Sequence, residues 1–301
     1  MADIPKISVV MPVCDGRPFL DTALGSVLDQ TYTDFEFIIV DDGSTDGSAE
    51  VLRHHASRDD RLRVFQQKNL GATLAQNRGV QEAQGEYIAR MDADDVSLPK
   101  RFERQVAYLE ANPGCSAVGG QALLIDENGE PIRNSTSPPF SDDDGQMEGL
   151  LEEHRAIEKA LLEGEWPLVH PAVMMRRAVV EGAGGYDERF QANQDHDLFL
   201  RLAEHGRLAN LPTMVLKYRR HRRQVTAERS GRNFASKYRK TKIRREAHQR
   251  RGLPLPEDLR LSALGRLLLR RELSKTPLWS LIQNVWGALR KGESIQTDNS
   301  A

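Results

Sequence analysis

The chain has 301 residues, of which 39% are apolar and 29% are charged. This length and composition suit one large or two modest globular domains and argue against a chain that is disordered throughout. Two cysteines, Cys14 and Cys115, are too few for a secreted disulfide scaffold, so we expect a reducing, cytoplasmic compartment. The N-terminus lacks a signal-peptide pattern. No apolar run of ~18 residues predicts a membrane-spanning helix.

The net charge of −2 hides a strongly basic segment. Residues 217–251 carry fifteen Lys and Arg against two Glu, a balance of +13, so the rest of the chain carries −15. A block of this kind indicates an anionic partner, and the alternative is a solvated helical surface. Few aromatics lie among its basic residues, which disfavours nucleic acid. An anionic membrane face fits better, with peripheral attachment through 217–251 and the C-terminal helix.

Apolar runs rich in β-branched residues alternate with helical periodicity over the first 112 residues. The patterns predict strands at 7–13, 35–42, 61–67 and 86–92, and helices at 18–30, 48–59, 72–84 and 98–112. Gly85 is a candidate C-cap of the third helix. The alternation predicts an α/β fold, with a mostly parallel sheet flanked by helices.

Beyond residue 112 the alternation ends. The sequence predicts a strand at 116–125 with a turn at Asn128–Gly129, a loop at 134–149, a helix at 150–162, a strand at 171–177, a helix at 196–206 and two later helices at 256–273 and 277–291. The last helix carries an apolar stripe that includes Trp279 and Trp286. That stripe fits a membrane interface, the packed core or the contact of a homodimer.

Acidic residues follow two of the predicted strands. Asp92, Asp94 and Asp95 end the fourth strand, and Asp41 and Asp42 end the second. Since ligands bind outside the carboxyl ends of parallel strands, these acids are expected on one edge of the sheet. Closely spaced carboxylates suit a hard divalent cation, Mn²⁺ or Mg²⁺. The alternative for the acids that follow the fourth strand is that Asp95 or Ser97 caps the next helix.

Two further acids have structural alternatives of their own. Asp46 lies in GSTDGS and is interpreted as a turn residue, with Asp46 or Ser48 as helix N-cap. Asp195 lies in NQDHD ahead of an apolar helical stretch, where an N-cap acid is common.

Taken together, five segments resemble the family 2 glycosyltransferases of the GT-A fold. They are ISVVMPVCDG, FIIVDDGSTDGS, NLGATLAQNRGV, GEYIARMDADD and GGYDERFQANQDHDLFLRL, in this order between residues 6 and about 225. The resemblance implies a GT-A domain over 1–225, with a donor part near 1–112 and an acceptor part near 113–225. Residues 226–301 then form a basic and helical C-terminal extension.

The resemblance also implies residue roles. Asp195 matches the catalytic base, and Asp94, Asp95 and His221 match metal ligands. Nucleotide-sugar contacts are implied for Pro12, Val13, Asp15, Asp41, Asp42, Asn69, Arg78, Asp92, Ala93 and Asp94. Asp42 is the expected partner of the base, with uracil the family default. Cys14 stands where several relatives carry an aromatic that stacks on the base, and Gln194 stands where many carry Glu.

The function expected from this resemblance is inverting, metal-dependent transfer of a sugar from a nucleotide diphosphate donor to a hydroxyl of a glycan or lipid-linked acceptor. Single displacement needs a base on one side of the sugar and charge stabilisation of the leaving group on the other. Two alternatives remain at this point: a sugar nucleotidyltransferase, whose Gly-rich phosphate loop is missing here, and a non-catalytic module that binds nucleotide sugars.

Overall fold

The computed structural model describes residues 4–133, 151–224 and 234–259, with the backbone alone for 234–238. The predicted loop at 134–149, the helix at 277–291 with its apolar stripe, and all but the start of the helix at 256–273 lie outside these residues. The chain divides into two compact units, 1–247 and 248–301. In the described part of the second unit, Glu257–Leu259 forms a single 3₁₀ turn.

In the described residues, eight strands form one sheet. They are β1 Ile7–Val13, β2 Phe35–Asp42, β3 Leu62–Gln67, β4 Tyr87–Arg90, β5 Val96–Ser97, β6 Cys115–Ile125, β7 Met174–Arg176 and β8 Arg207–Arg219, in the order β3-β2-β1-β4-β7-β6-β8-β5. β1 to β4 run parallel, β7 is antiparallel to both neighbours, β6 and β8 run parallel, and β5 is antiparallel to β8. The prediction of a mostly parallel α/β sheet is confirmed.

Eight α-helices are described. They are α1 Leu20–Leu28, α2 Ser48–Ala56, α3 Ala72–Glu82, α4 Arg101–Ala111, α5 His154–Glu163, α6 Arg177–Gly182, α7 Gln194–His205 and α8 Phe234–Arg250. Gly206 is the C-cap of α7. Among the described residues, no helix combines the length and apolar character that crossing a bilayer demands.

The sheet is covered on both faces. One face packs α1 and α4 through Leu24, Phe102 and their neighbours, and the other packs α3, α5 and α7 through Val80, Leu161 and theirs. β1 and β2 are buried along almost their whole length, because they lie centrally and are covered on both sides. For this reason the predicted bounds of the two strands, 7–13 and 35–42, agree with the observed ones.

Gly85 is not the C-cap of α3, which ends at Glu82 with Ala83 as its cap. A Cβ at Gly85 would lie 2.6 Å from the backbone nitrogen of Ser8. The glycine is therefore needed because the chain passes close to the start of β1 and leaves no room for a side chain.

β8 was not predicted from the sequence, and it lies beside β6 in the sheet. Pro212 interrupts its apolar pattern, and the register with β6 shifts in this region. A proline inside a run argues against a strand unless the pairing is irregular there. Part of the predicted basic segment is therefore strand, and Arg219 at the end of β8 is buried.

Candidate active site

The sheet topology brings the predicted acids to one edge. Val13, the last residue of β1, pairs with Asp41 near the end of β2, and Val10 pairs with Arg90 at the end of β4. The chain leaves β4 directly into Asp92, Asp94 and Asp95. The carboxyl ends of three adjacent parallel strands thus form the floor of the site. Ala93 lies in this floor, with its Cβ close to Gly16 of the loop after β1.

Asp92, Asp94 and Asp95 form a compact acid cluster. Each offers one carboxylate oxygen, and these oxygens all lie within 4.8 Å of one another. Asp95 is buried, and Asp92 and Asp94 are partly buried. His221 extends the cluster from the chain just beyond β8, with its Nε2 2.9 Å from Asp94 Oδ2. The sequence-predicted metal residues are therefore in contact with one another.

The cluster has the properties of a cation site. Burial raises the pKa of Asp95 well above its usual range, and the charges of Asp94 and Asp92 act in the same direction. Burial also raises the pKa of Asp92, against the opposing effect of Arg90. Asp95 Oδ2 is buried and accepts no hydrogen bond from the described residues. Mn²⁺ and Mg²⁺ bind carboxylate oxygens whose negative charge the ion can neutralise. The three aspartates therefore fit such an ion.

Helix capping does not explain the acids. α4 begins at Arg101 with Lys100 as its N-cap, so neither Asp95 nor Ser97 caps it. Asp95 Oδ1 instead accepts the Arg219 backbone N–H at 2.8 Å, and Ser97 belongs to β5. This hydrogen bond joins the acid cluster to β8, the strand that carries His221 to the site.

Buried arginines surround the cluster, and sequence reasoning missed them. Arg90 donates to Asp92 Oδ1 at 2.6 Å and to the Met91 carbonyl. Arg101 is 1% exposed and donates to the Arg90 carbonyl at 2.7 Å, and burial lowers its pKa to about 9. Arg219 Nε donates to the Asp94 carbonyl at 2.8 Å. These cations offset part of the negative charge of the cluster. Their hydrogen bonds to carbonyls also orient the backbone of the segment that carries the three acids.

A cleft of about 560 Å³ opens beside His221. Its lining combines three exposed arginines with two acids, and it consists of Arg17, Pro18, Phe19, Asp46, Glu127, His221, Arg222 and Arg223. Phe19 lies between two groups from β8 and its extension: the His221 ring, at 4.7 Å between centroids, and the Arg219 guanidinium, 4.6 Å from the ring centre. This packing fixes the orientation of the His221 imidazole.

Asp42 organises the loop before α3. Its Oδ1 accepts the Leu70 N–H and the Gln67 amide, both at 2.8 Å, and its Oδ2 accepts the Gly71 N–H at 2.8 Å. Asp41 Oδ1 accepts the Ser44 N–H at 3.0 Å. Both carboxylates are 3% exposed. A carboxylate has about four acceptor positions, so Asp42 keeps one for a further donor.

The loop after β1 is tied to the loop after β2. Asp15 has a left-handed backbone, with φ of 51°, and its Oδ1 accepts the Thr45 N–H at 2.7 Å. Asp46 accepts the Arg17 and Ser48 backbone N–H groups. Burial raises the pKa of Asp46, but a hydrogen bond from the Ser48 hydroxyl and the two backbone N–H bonds outweigh it and lower the pKa overall. Asp46 lies in the loop between β2 and α2, but the N-cap of α2 is Gly47, so the predicted N-cap at Asp46 or Ser48 is wrong.

Pro12 and Val13 are the last two residues of β1, directly before the first of these loops, and Val13 is buried. Asn69 donates to Cys14 Sγ at 3.4 Å, so the loop before α3 meets the loop after β1. Arg78 lies further along α3. It donates to the Gln66 carbonyl at 2.7 Å and its guanidinium lies over the Phe65 ring. The described contacts of Arg78 are thus with β3, and none joins it to the acid cluster.

Asp195 is the second residue of α7, and the N-cap is Asn193, so the N-cap alternative for Asp195 is wrong. Its Oδ1 accepts the His196 N–H at 2.9 Å. Burial raises the pKa of Asp195 to about 6, with the charge of Asp92 adding to the effect and that of Arg90 opposing it. A carboxylate with this pKa is a stronger base than an exposed aspartate and is still mostly ionised at neutral pH.

The segment before α7 is held by α3, which the sequence did not predict. Asn77 exchanges two 2.8 Å hydrogen bonds with the backbone of Tyr186, and Thr73 Oγ1 donates to the Phe190 carbonyl at 2.8 Å. The Tyr186 hydroxyl lies 2.8 Å from Nε2 of buried His170. Burial and the Arg90 charge lower the pKa of His170 well below its usual range, so the imidazole is neutral.

Comparison with known proteins identifies the class of this chain. The family model described as glycosyl transferase family 2 matches residues 8–183. The putative glycosyltransferase EpsE of Bacillus subtilis is 33% identical over 222 residues, which cover 71% of this chain and 73% of that protein. The O-antigen biosynthesis glycosyltransferase WbnJ of Escherichia coli is 34% identical over 226 residues, covering 74% and 82%. The chain therefore belongs to glycosyltransferase family 2 and is an enzyme of this type.

Solved structures confirm the fold. Staphylococcus aureus TarS 1–349 in complex with UDP-GlcNAc has a TM-score of 0.61 at 15% identity, over 98% of this chain and 94% of that one. The mannosyltransferase PcManGT from Pyrobaculum calidifontis, in complex with GDP-Man and Mn²⁺, has a TM-score of 0.58 at 19% identity, over 96% and 81%. The sheet and its helices thus follow the GT-A arrangement that the sequence predicts.

Proposed function

We propose that this glycosyltransferase moves a sugar from a nucleoside diphosphate donor to an acceptor hydroxyl, with a divalent cation and with inversion of the anomeric carbon. The observation that carries the proposal is the contact of His221 with an acid cluster whose oxygens lie within 4.8 Å of one another. Asp41, Asp42 and Asp195 belong to the same proposed site. UDP is the proposed nucleotide, as the family default and as the nucleotide of the TarS complex.

Residues 1–112 are proposed to form the half of the site that binds the donor. Asp42 has one acceptor position left after its three hydrogen bonds to the Gln67–Gly71 loop, which suits an N–H of the base. The backbone of Pro12 and Val13 and the side chains of Asp15, Asn69 and Arg78 complete the proposed contacts. Asp92 and Ala93 are proposed beside the ribose and diphosphate.

The cation, Mn²⁺ or Mg²⁺, is proposed to bind Asp94, Asp95 and His221. When bound, it neutralises the charge that grows on the departing nucleoside diphosphate. Arg90 holds the Asp92 carboxylate by a 2.6 Å hydrogen bond. Arg219 donates its Nε–H to the Asp94 carbonyl and its backbone N–H to the Asp95 carboxylate. The chain thereby fixes the donor set before the substrate arrives, which lowers the reorganisation that the reaction needs.

Asp195 is proposed as the general base. Its carboxylate accepts the proton of the acceptor hydroxyl as the oxygen attacks the anomeric carbon from the face opposite the diphosphate. A pKa of about 6 leaves Asp195 mostly ionised at neutral pH and still basic enough to assist the attack. The 2.9 Å hydrogen bond from the His196 N–H occupies Oδ1, so Oδ2 is the proposed acceptor of the proton.

The acceptor is proposed to be a glycan or lipid-linked glycan of surface polysaccharide synthesis, bound mainly by 113–225. Support comes from WbnJ, whose name assigns it to O-antigen biosynthesis. Peripheral attachment to the inner face of a membrane through 217–251 and the C-terminal extension, 226–301, is part of the same proposal. Residues 239–251 carry seven Lys and Arg, and each one that faces an anionic surface can add roughly 1 kcal/mol.

Turnover tests the proposal. The full chain is incubated with UDP-Glc, UDP-Gal, UDP-GlcNAc and GDP-Man, with Mn²⁺ or with chelator, and release of the nucleoside diphosphate is followed. We expect metal-dependent release from one donor class, a loss on the order of 10³-fold in Asp195→Asn, and no change in the control Asp60→Asn, an exposed acid. Nucleotide binding without turnover would instead indicate a non-catalytic binding module.

A further inference from the structure

Trp166 is an exposed aromatic on the loop between α5 and β7. It is 43% exposed. Among the described residues, the other exposed large apolar side chains are aliphatic. An exposed indole costs free energy because its apolar surface faces water. Aromatic side chains in such positions commonly serve recognition, since the ring is rigid and carries a polar N–H.

The loop that carries Trp166 is fixed on both sides of the indole. Gly164 ends α5 with a left-handed backbone, φ of 88°, and the Glu165 N–H donates to the Ala160 carbonyl at 2.8 Å. On the other side, Asn210 Nδ2 donates to the Pro167 carbonyl at 2.7 Å. The backbone therefore presents Trp166 in a defined place without first having to be ordered by a ligand.

The indole lies beside the start of α7. Its ring packs edge to face on His196, with 5.0 Å between centroids and planes at 74°. His196 directly follows Asp195 in the first turn of α7, and its Nε2 lies 3.0 Å from the Leu161 carbonyl of α5. His196 thus connects the exposed ring to the helix turn that carries the proposed base.

Lys240 of α8 contacts the same ring. Its Nζ lies 5.5 Å from the ring centre, and burial lowers the pKa of Lys240 while the nearby charge of Glu165 opposes this. The cation and the buried imidazole hold the indole by two of its sides. Trp166 still keeps 43% of its surface exposed to solvent, and its ring contacts the residue directly after Asp195.

From this arrangement we infer that Trp166 is a stacking platform for a pyranose ring of the acceptor. The C–H groups on one face of a sugar ring are apolar and weakly positive, so they pack against the negative face of an indole. A ring held there would bring an acceptor hydroxyl toward Asp195 in a restricted set of orientations. This inference rests on the proposed function and assigns Trp166 to the binding of its glycan acceptor.

Fluorine NMR tests the platform directly. The full chain is labelled with 5-fluorotryptophan, the Trp166 signal is assigned with Trp166→Phe, and UDP and Mn²⁺ are kept present. The probes are methyl pyranosides of glucose, galactose, mannose and N-acetylglucosamine, with sorbitol as a hydroxyl-rich control without a ring. We expect a saturable shift of the Trp166 signal with at least one pyranoside and none with sorbitol. No saturable shift with any pyranoside, or an equal shift with sorbitol, overturns the inference.

Kinetics supply the second readout. The pyranoside that shifts the signal most is used as acceptor, and donor hydrolysis by water is measured on the same samples. In Trp166→Ala we expect the acceptor KM to rise on the order of tenfold and donor hydrolysis to stay within about twofold, with most of the loss restored in Trp166→Phe. Ile4→Ala, an exposed apolar residue elsewhere, is the control.

An equal fall of transfer and hydrolysis in Trp166→Ala would show a merely structural role and overturn the inference. Failure of the platform and failure of the proposed function are distinguishable in these samples. Intact donor hydrolysis with an unresponsive Trp166 refutes the platform alone, whereas absence of metal-dependent donor binding and hydrolysis in the unmodified chain refutes the function itself.

Discussion

His221 Nε2 lies 2.9 Å from Asp94 Oδ2, although the two residues are 127 positions apart in the sequence. The contact requires β8 to lie at the far edge of the acid cluster, where the Arg219 N–H donates to Asp95. The packing of the His221 ring on Phe19 then fixes the imidazole. The proposed ligands, the His221 imidazole and the carboxylates of Asp94 and Asp95, would form a mixed nitrogen and oxygen donor set of the kind that suits Mn²⁺.

Replacing His221 tests this donor set. In His221→Asn we expect the affinity for Mn²⁺ in the presence of UDP to fall by at least about 10-fold to 100-fold, the loss typical of removing even a residue that only hydrogen-bonds to a metal ligand. Electron paramagnetic resonance of free Mn²⁺ measures the affinity. His205→Asn, at the opposite end of α7 from Asp195, serves as the control. An unchanged affinity in His221→Asn would exclude the imidazole from the metal site.

The activity should depend on the ionisation of Asp195. Its pKa of about 6 reflects burial first, then the negative charge of Asp92, against Arg90 and the His196 N–H. The base is active only when ionised, so kcat/KM should fall as the pH drops through about 6 and be level above it. A profile of kcat/KM against pH for donor hydrolysis checks this. A flat profile down to pH 5 would contradict the assignment.

The same group should lower the stability of the fold at neutral pH. Because the folded-state pKa of Asp195 is raised above its unfolded value, its stabilising contribution is present below about pH 4 and is lost as the pH rises through about 6. Asp195→Asn should therefore melt at a higher temperature than the unmodified chain at pH 8, with the difference shrinking towards pH 4. Calorimetric melting at both values measures it, and a lower melting temperature at pH 8 would refute the argument.

The loop before α3 should depend on Asp42. In Asp42→Ala, the N–H groups of Leu70 and Gly71 and the Gln67 amide lose their acceptor, which should cost about 1–3 kcal/mol if these groups stay buried. Hydrogen exchange at the Leu70 and Gly71 amides should accelerate, and nucleotide affinity should fall. Asp34→Asn, an exposed acid before β2, is the control. Unchanged exchange at both amides would show that the loop is held by other contacts.

A buried network at the other end of β2 should affect stability alone. Glu36 accepts hydrogen bonds from Ser8, Arg63 and the Gln84 N–H. Glu36→Ala leaves these donors without their acceptor, and we expect a loss of roughly 3–5 kcal/mol in the free energy of unfolding. Since Glu36 lies about 20 Å from Asp42 along the strand, nucleotide affinity should be unchanged. Urea unfolding and nucleotide titration of the same variant check both statements.

The first strands of the fold could be predicted from the sequence, since β1 and β2 are continuous apolar runs bounded by turn residues. The topology alone then places the acids that follow β2 and β4 on one edge. β8 could not be predicted, because Pro212 and a basic end obscure its pattern. β5 has only two residues and exists through its pairing with β8.

The site residues that directly follow a strand could be predicted from the sequence. Those whose role depends on tertiary contacts could not. Asp94 and His221 were expected to meet only through the family resemblance. Nothing local in the sequence indicates that Arg90 and Arg101 are buried beside the acids, or that Asn77 holds the segment before α7. The raised pKa of Asp195 likewise follows from burial and from Asp92, which lies far away in the sequence.

The measurement that tests the account most directly is a calorimetric titration of the full chain with UDP, GDP and TDP, with and without Mn²⁺, beside Asp94→Asn and the control Asp60→Asn. We predict tight binding of one nucleotide, UDP, that needs both Mn²⁺ and Asp94 and survives in the control. Binding that is equal with and without Mn²⁺, or equal in Asp94→Asn, would contradict a metal-dependent donor site at the acid cluster.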